Sequence, residues 1–191
     1  MLEKFDVLFR DNFSSYEREI KDIPDSCCAS DILAFSFDEI KNEFSQNLGI
    51  SNDRLLKSVD ALFFSKKTDE IYLIEMKGLA RAGVATITDC KKYIKRHFAP
   101  FSLPNKIIDS IFLICNIIGY YDIEKECYQY LIDQKGIKIK TILLSNFSNK
   151  ELLDLTLLSL DKQKISLTKR IDGEIGILNC DTFSRHFKSI A

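Results

Sequence analysis

The sequence predicts an α/β fold, a central mixed β-sheet flanked by helices, on the strength of three observations. Two apolar segments, 57–65 and 70–77, are separated by the polar residues Lys66, Lys67, Thr68 and Asp69, the pattern of a β-hairpin with a four-residue loop. Both segments are apolar at successive positions, as in strands covered on both faces. Segments with helical spacing precede and follow them, which supplies the cover.

Element by element, residues 2–13 place Leu2, Phe5, Leu8, Phe9 and Phe13 at helical spacing. Residues 15–23 are mixed and end at Pro24. A clearer helix spans 36–49. Ser36 and Glu39 have capping-box spacing, Phe37, Ile40, Phe44 and Leu48 form a stripe, and Gly49 ends it. No strand is legible between Leu48 and Lys57. After the hairpin, 83–98 reads as a helix closed by Pro100, and 110–118 as a buried strand. Next come a helix over 121–134, a strand over 137–145 and a helix over 149–160. Residues 164–171 and 174–178 read as strands and 181–190 as a short helix. The chain carries no internal repeat and no linker, so 1–191 reads as one domain.

Composition narrows the function. A hydrophobic share of 46% and a charged share of 29% describe an ordinary globular chain. The formal charge of −1 supplies no global attraction to a polyanion, so nucleic-acid binding would need a local patch. The six cysteines have no C-x-x-C spacing and the only histidines are His97 and His186, which argues against a structural zinc site. Cys27 and Cys28 read as two reduced thiols. The N-terminal residues lack a signal-peptide core, and the apolar run 111–118 is far short of the roughly 20 residues a membrane helix needs. The expected compartment is the cytoplasm, with no membrane partner. Phosphate-loop, dinucleotide and nucleophile-elbow motifs are absent.

The hairpin carries the chemistry. With 66–69 as the loop, Asp60 falls opposite Glu75 and Lys77 projects from the same face as Glu75. Two carboxylates among Val, Leu, Ile and Phe repel each other and lose hydration, so one would be driven toward its neutral form. A divalent cation such as Mg²⁺ or Mn²⁺ relieves both costs and leaves positions for phosphate oxygens and water. The plainer reading is a cross-strand salt bridge at a sheet edge, in which both acids share Lys77.

The pattern Val59-Asp60, fourteen residues, Glu75-Met76-Lys77, after an acid-bearing helix and before a second helix, resembles the PD-(D/E)XK nuclease superfamily. The resemblance covers a motif-bearing core of about 36–118, leaving about 119–191 as a C-terminal α/β extension. It implies a restriction endonuclease-like three-layer fold with an αβββαβ core. It also implies a Mg²⁺- or Mn²⁺-dependent nuclease acting on DNA more than RNA, in restriction, phage defence or repair, as a homodimer or in a larger complex. The metal-binding acids fall on Asp60 and Glu75 and the catalytic lysine on Lys77. Val59 stands where the motif has proline. The family's further helix glutamate falls on Glu39 or Glu43, and Glu43 is preferred because Glu39 has the capping role. Arg81, Lys91, Lys92, Tyr93, Lys95 and Arg96 form the strongest basic run and are the nucleic-acid-binding candidates. A charged outer helix face explains that run equally well. The other expectation for the whole chain is a catalytically silent domain of the same fold that binds nucleic acid or a partner protein.

Overall fold

The hairpin organises the sheet. In the computed structural model, β3 (Ala61–Ser65) and β4 (Glu70–Lys77) pair antiparallel, with Ala61 opposite Ile74 and Ser65 opposite Glu70. Residues 66–69 form the turn, and Asp69 takes φ +52°, a left-handed conformation that aspartate tolerates. The structure describes residues 2–50, 56–78, 86, 88, 89, 92, 103–121, 138–146 and 175–191.

Around the hairpin, β1 (Glu17–Glu19) and β2 (Leu33–Ser36) extend the sheet on the β3 side, and β5 (Lys138–Ser145) and β6 (Ile175–Asn179) on the β4 side. Neighbours from β1 to β4 are antiparallel, whereas β4–β5 and β5–β6 are parallel. Adjacent parallel strands require a crossover, and α3 (Leu103–Tyr120) lies in the one joining β4 to β5. The protein is therefore an α/β fold whose middle layer, among the described residues, is a six-stranded mixed sheet.

Strand alternation divides the core in two. On one face Leu62, Phe64, Ile71, Leu73, Ile139 and Leu143 pack with α1 (Leu2–Phe13), α2 (Phe37–Asn47) and α3. Phe9 is fully buried there, against the rings of Phe13, Phe35, Phe37 and Phe64. On the other face Phe63, Tyr72, Ile74, Met76, Ile142 and Leu144 meet α4 (Cys180–Ile190) and the apolar residues of the β1–β2 connection. Phe183 and Phe187 of α4 stack with centroids 4.1 Å apart.

Several expectations need correction. Residues 110–118 belong to a helix, because a short run of Ile, Leu and Cys suits a buried helix as well as a strand. Residues 15–23 contain β1 between two 3-10 turns. The strand that precedes the hairpin in the sheet is β2, which comes before α2 rather than after it; Phe35 lies opposite Leu62. The sheet runs from Glu17 to Asn179, so it extends beyond the 36–118 core on both sides.

The capping box does not form either. Ser36 makes no side-chain cap bond, and Glu39 turns to Arg18, 3.4 Å away. The first α2 amide, on Phe37, donates to the carbonyl of Asp60 instead (3.0 Å), so a tertiary contact replaces the local cap. At the other end Gly49 takes φ +68° and donates to the Gln46 carbonyl, the glycine stop the sequence predicted. Cys28 is disulfide-bonded to Cys180 rather than reduced. That pairing brings together residues 152 positions apart, which no local spacing reveals. The predicted elements over 121–134, 149–160 and 164–171 lie outside the described residues, as does most of 83–98, of which Thr88, Asp89 and Lys92 are helical.

Phe9→Ala should lower unfolding stability by about 3–5 kcal/mol, through lost burial and the cavity left behind. Phe112→Ser, on the exposed side of α3 where Phe112 is 58% exposed, should stay within about 0.5 kcal/mol of the parent. Urea denaturation of both variants checks the contrast.

Candidate functional site

Asp60 sits one residue before β3, where continuing the β3–β4 register sets it against Glu75. Its Oδ2 accepts a hydrogen bond from the Met76 amide at 2.6 Å. Glu75 is almost fully buried, at 2% exposure, on the face shared by Ile71 and Leu73. Two residues on, Lys77 brings its Nζ to 2.6 Å from Glu75 Oε1. The three residues predicted to meet do meet. Glu75 and Lys77 are on β4, which is held between β3 and β5, so the cluster is not at a sheet edge, although the Glu75–Lys77 ion pair of the plainer reading is present.

A second lysine joins them. Lys106 of α3 donates to both Glu75 oxygens at 2.8 Å and stands 3.9 Å from Asp60 Oδ1. Reading 110–118 as a strand hid it. The signal was the spacing of Leu103, Ile107, Ser110 and Ile114, all buried, which marks one helix face and sets Lys106 at its border.

The same helix also steers Asp60 into place. The Val59 amide donates to Ser110 Oγ (3.0 Å), and the Lys57 amide to Asp109 Oδ2 (3.0 Å). The segment entering β3 is thus tied to α3 on one side. On the other, the Asp60 carbonyl receives the Phe37 amide of α2.

Electrostatics distinguish the two acids. Burial pushes the Asp60 carboxyl up to about 7, and the neighbouring Glu75 charge adds to the rise, while Lys106, Lys77 and the Met76 amide oppose it. Glu75, by contrast, sits between two ammonium groups. The cluster therefore offers hard oxygen donors from two carboxyl groups, of which Glu75 is paired with both Lys77 and Lys106.

Glu43 is engaged elsewhere. It accepts the phenol of Tyr16, near Glu39 and Arg18. An α2 acid linked to the cluster is Asp38, which sequence reasoning missed. It accepts from Ser58 and Lys41 and feels the charge of Lys106. Burial opposes its ionisation, but these partners outweigh that and hold its carboxyl below the usual range. Of the basic run, Lys92 is helical and exposed, while Arg81, Lys91, Tyr93, Lys95 and Arg96 lie outside the described residues.

In comparisons with known proteins the chain matches no family model, no curated protein and no solved structure.

The raised Asp60 carboxyl has a stability consequence with a definite sign. Between about pH 4 and about pH 7 the folded chain holds a proton that the unfolded chain has released. The contribution of Asp60 to stability therefore falls as pH rises through that window. In metal-free buffer Asp60→Asn should flatten the fall and be more stable than the parent at pH 7.5. Urea titrations at pH 4.5, 6 and 7.5 measure it; equal slopes in the two proteins would contradict the assignment.

Proposed function

We propose that this chain is a Mg²⁺- or Mn²⁺-dependent nuclease of the PD-(D/E)XK type that hydrolyses phosphodiester bonds, in DNA in preference to RNA. The observation that carries the reading is the convergence of Asp60, at the entry to β3, with Glu75 and Lys77 of β4 at a buried point. Among the described residues, the order α1–β1–β2–α2–β3–β4–α3–β5 contains the αβββαβ sequence that the resemblance implies, with β1 and α2 as additions to it.

The residues suit a hard divalent cation. Asp60 and Glu75 supply carboxylate oxygens, and burial with mutual repulsion makes Asp60 costly to ionise alone. When bound there, the cation supplies an acidified water and charge neutralisation at phosphate. The chain's own groups do the rest. The Met76 amide orients the Asp60 carboxylate, Lys77 Nζ orients the attacking water and offsets charge developing on the phosphate, and α3 holds Lys106 against Glu75. The reading places the protein in the cytoplasm, in restriction, phage defence or repair. Cleaving both strands of a duplex calls for two such sites, which a homodimer or a larger complex supplies.

One observation favours a second reading. Lys106 engages both oxygens of Glu75, so the cluster already balances two acids with two amines. A catalytically silent domain that binds nucleic acid or a partner protein would keep that closed arrangement.

Plasmid and oligonucleotide cleavage with Mg²⁺, Mn²⁺ or EDTA separates the two readings. Asp60→Ala, Glu75→Ala and Lys77→Ala should each cut the rate by about 100-fold or more with the far-UV circular dichroism unchanged. Lys106→Met, by removing the competing ammonium, should tighten Mn²⁺ binding measured calorimetrically. Cleavage that persists in all three alanine variants would remove the nuclease reading; DNA retention on a gel without cleavage in any metal would favour the silent domain.

A further inference from the structure

Three sulfurs from remote parts of the chain meet beside the carboxyl ends of β4 and β5. Cys27 and Cys28 lie in the β1–β2 connection, and Cys180 opens α4. Their Sγ atoms all fall within 4.8 Å of one another. Cys28 and Cys180 are joined as a disulfide with Cα atoms 5.3 Å apart, and Cys27 Sγ stands 3.9 Å from Cys28 Sγ. Cys28 is buried while Cys27 and Cys180 are half-buried, so the group is shielded yet reachable.

A disulfide uses two of these sulfurs and gives the third no covalent role. A metal centre uses all three. Thiolates about 2.3 Å from a tetrahedral ion stand about 3.8 Å apart, and the Cys27–Cys28 separation already has that value within 0.1 Å. The surroundings set a condition on the charge of these sulfurs. Cys27 Sγ lies 3.5 Å from the Leu144 carbonyl oxygen, and Cys180 Sγ lies 3.5 Å from that of Cys27 and 3.8 Å from that of Ser145. Carbonyl oxygens accept S–H groups but repel bare thiolates, so three ionised sulfurs are tenable here only with a cation among them.

We infer that the reduced chain binds one soft closed-shell cation of the Zn²⁺ class through Cys27, Cys28 and Cys180, with the fourth position left to water. Thiolates select Zn²⁺ or Cu⁺ over Mg²⁺ and Mn²⁺, so this centre is distinct from the carboxylate cluster in both ligands and metal. A dithiol that closes to its own disulfide delivers the two electrons and two protons that open Cys28–Cys180; binding then releases the three thiol protons to solvent. The centre would tie the β1–β2 connection and α4 to the sheet end where Ser145 Oγ donates to the Lys77 carbonyl (2.6 Å).

The full chain, stripped with EDTA, reduced with dithiothreitol and freed of it under nitrogen, is titrated with Co²⁺ and then Zn²⁺. The expected result is one thiolate-bound Co²⁺ per chain, read by its sulfur-to-cobalt charge-transfer absorption and displaced by Zn²⁺, and a higher melting temperature with Zn²⁺. Cys27→Ser, which keeps both partners of the disulfide, should lose the absorption and weaken Zn²⁺ binding at least tenfold. Cys180→Ser should do the same, whereas Glu75→Gln should leave the absorption unchanged. Reduced parent protein without thiolate-bound Co²⁺, or Cys27→Ser protein that binds Zn²⁺ as tightly as the parent, would overturn the inference.

Discussion

A slip of one residue between β3 and β4 would turn every side chain of one strand to the opposite face of the sheet. Leu62 opposite Leu73 and Phe64 opposite Ile71 hold the register, because these four side chains fill the core beneath α1, α2 and α3. On the other face Phe63 meets Tyr72, with ring centroids 6.0 Å apart, and penalises the same slip. The position of Asp60 and Glu75 side by side is the outward continuation of that apolar register. The polar cluster thus inherits its geometry from packing, which acts over the whole length of both strands.

Placing two carboxyl groups at the end of such a core is expensive. An uncompensated buried charge costs several kcal/mol, and Glu75 is 2% exposed. Lys77 and Lys106 offset it from two directions, one from the same strand and one from the crossover helix. α3 has three tasks at once. It lies in the crossover joining β4 to β5, it supplies Lys106, and through Ser110 and Asp109 it holds the backbone that leads into Asp60. The Asp60 carbonyl, in turn, caps the start of α2. Helix placement and acid placement are therefore one problem, solved by backbone hydrogen bonds on both sides of a single residue.

The same end of the sheet gathers a second set of reactive side chains on its other face. Cys27 and Cys28 come from a connection packed under the sheet by Ile20, Ile23 and Ile32, and Cys180 from the first turn of α4. Asn179 Oδ1 accepts the Thr182 amide (2.8 Å), which fixes where that helix begins and hence where the sulfur of Cys180 falls. Burial pushes the Cys27 thiol above its ordinary range; among the smaller influences the nearby Asp60 charge raises it further, while hydrogen bonds with the backbone lower it. Hard oxygen donors and soft sulfur donors thus lie back to back at the strand ends, one set per face.

By itself the sequence determined the hairpin, its register and the meeting of Asp60, Glu75 and Lys77, because a four-residue polar loop between two apolar runs leaves one pairing that keeps both faces apolar. It also determined the stop at Gly49 and the closing strand and helix around 175–190. Tertiary structure decided the rest. The run over 110–118 is apolar enough for either a strand or a helix, and only the need to cross over the sheet between parallel strands makes it helical; Lys106 follows from that choice. Ser36 and Glu39 have the spacing of a local cap, yet the Asp60 carbonyl lies closer to the task and Arg18 draws Glu39 away. Glu43 satisfies the same helix pattern as any metal-facing acid, but its rotation about the α2 axis, set by the apolar stripe, delivers it to Tyr16 and brings Asp38 toward the cluster. Periodicity specifies which face a residue occupies; what waits opposite that face depends on contacts between segments far apart in the chain.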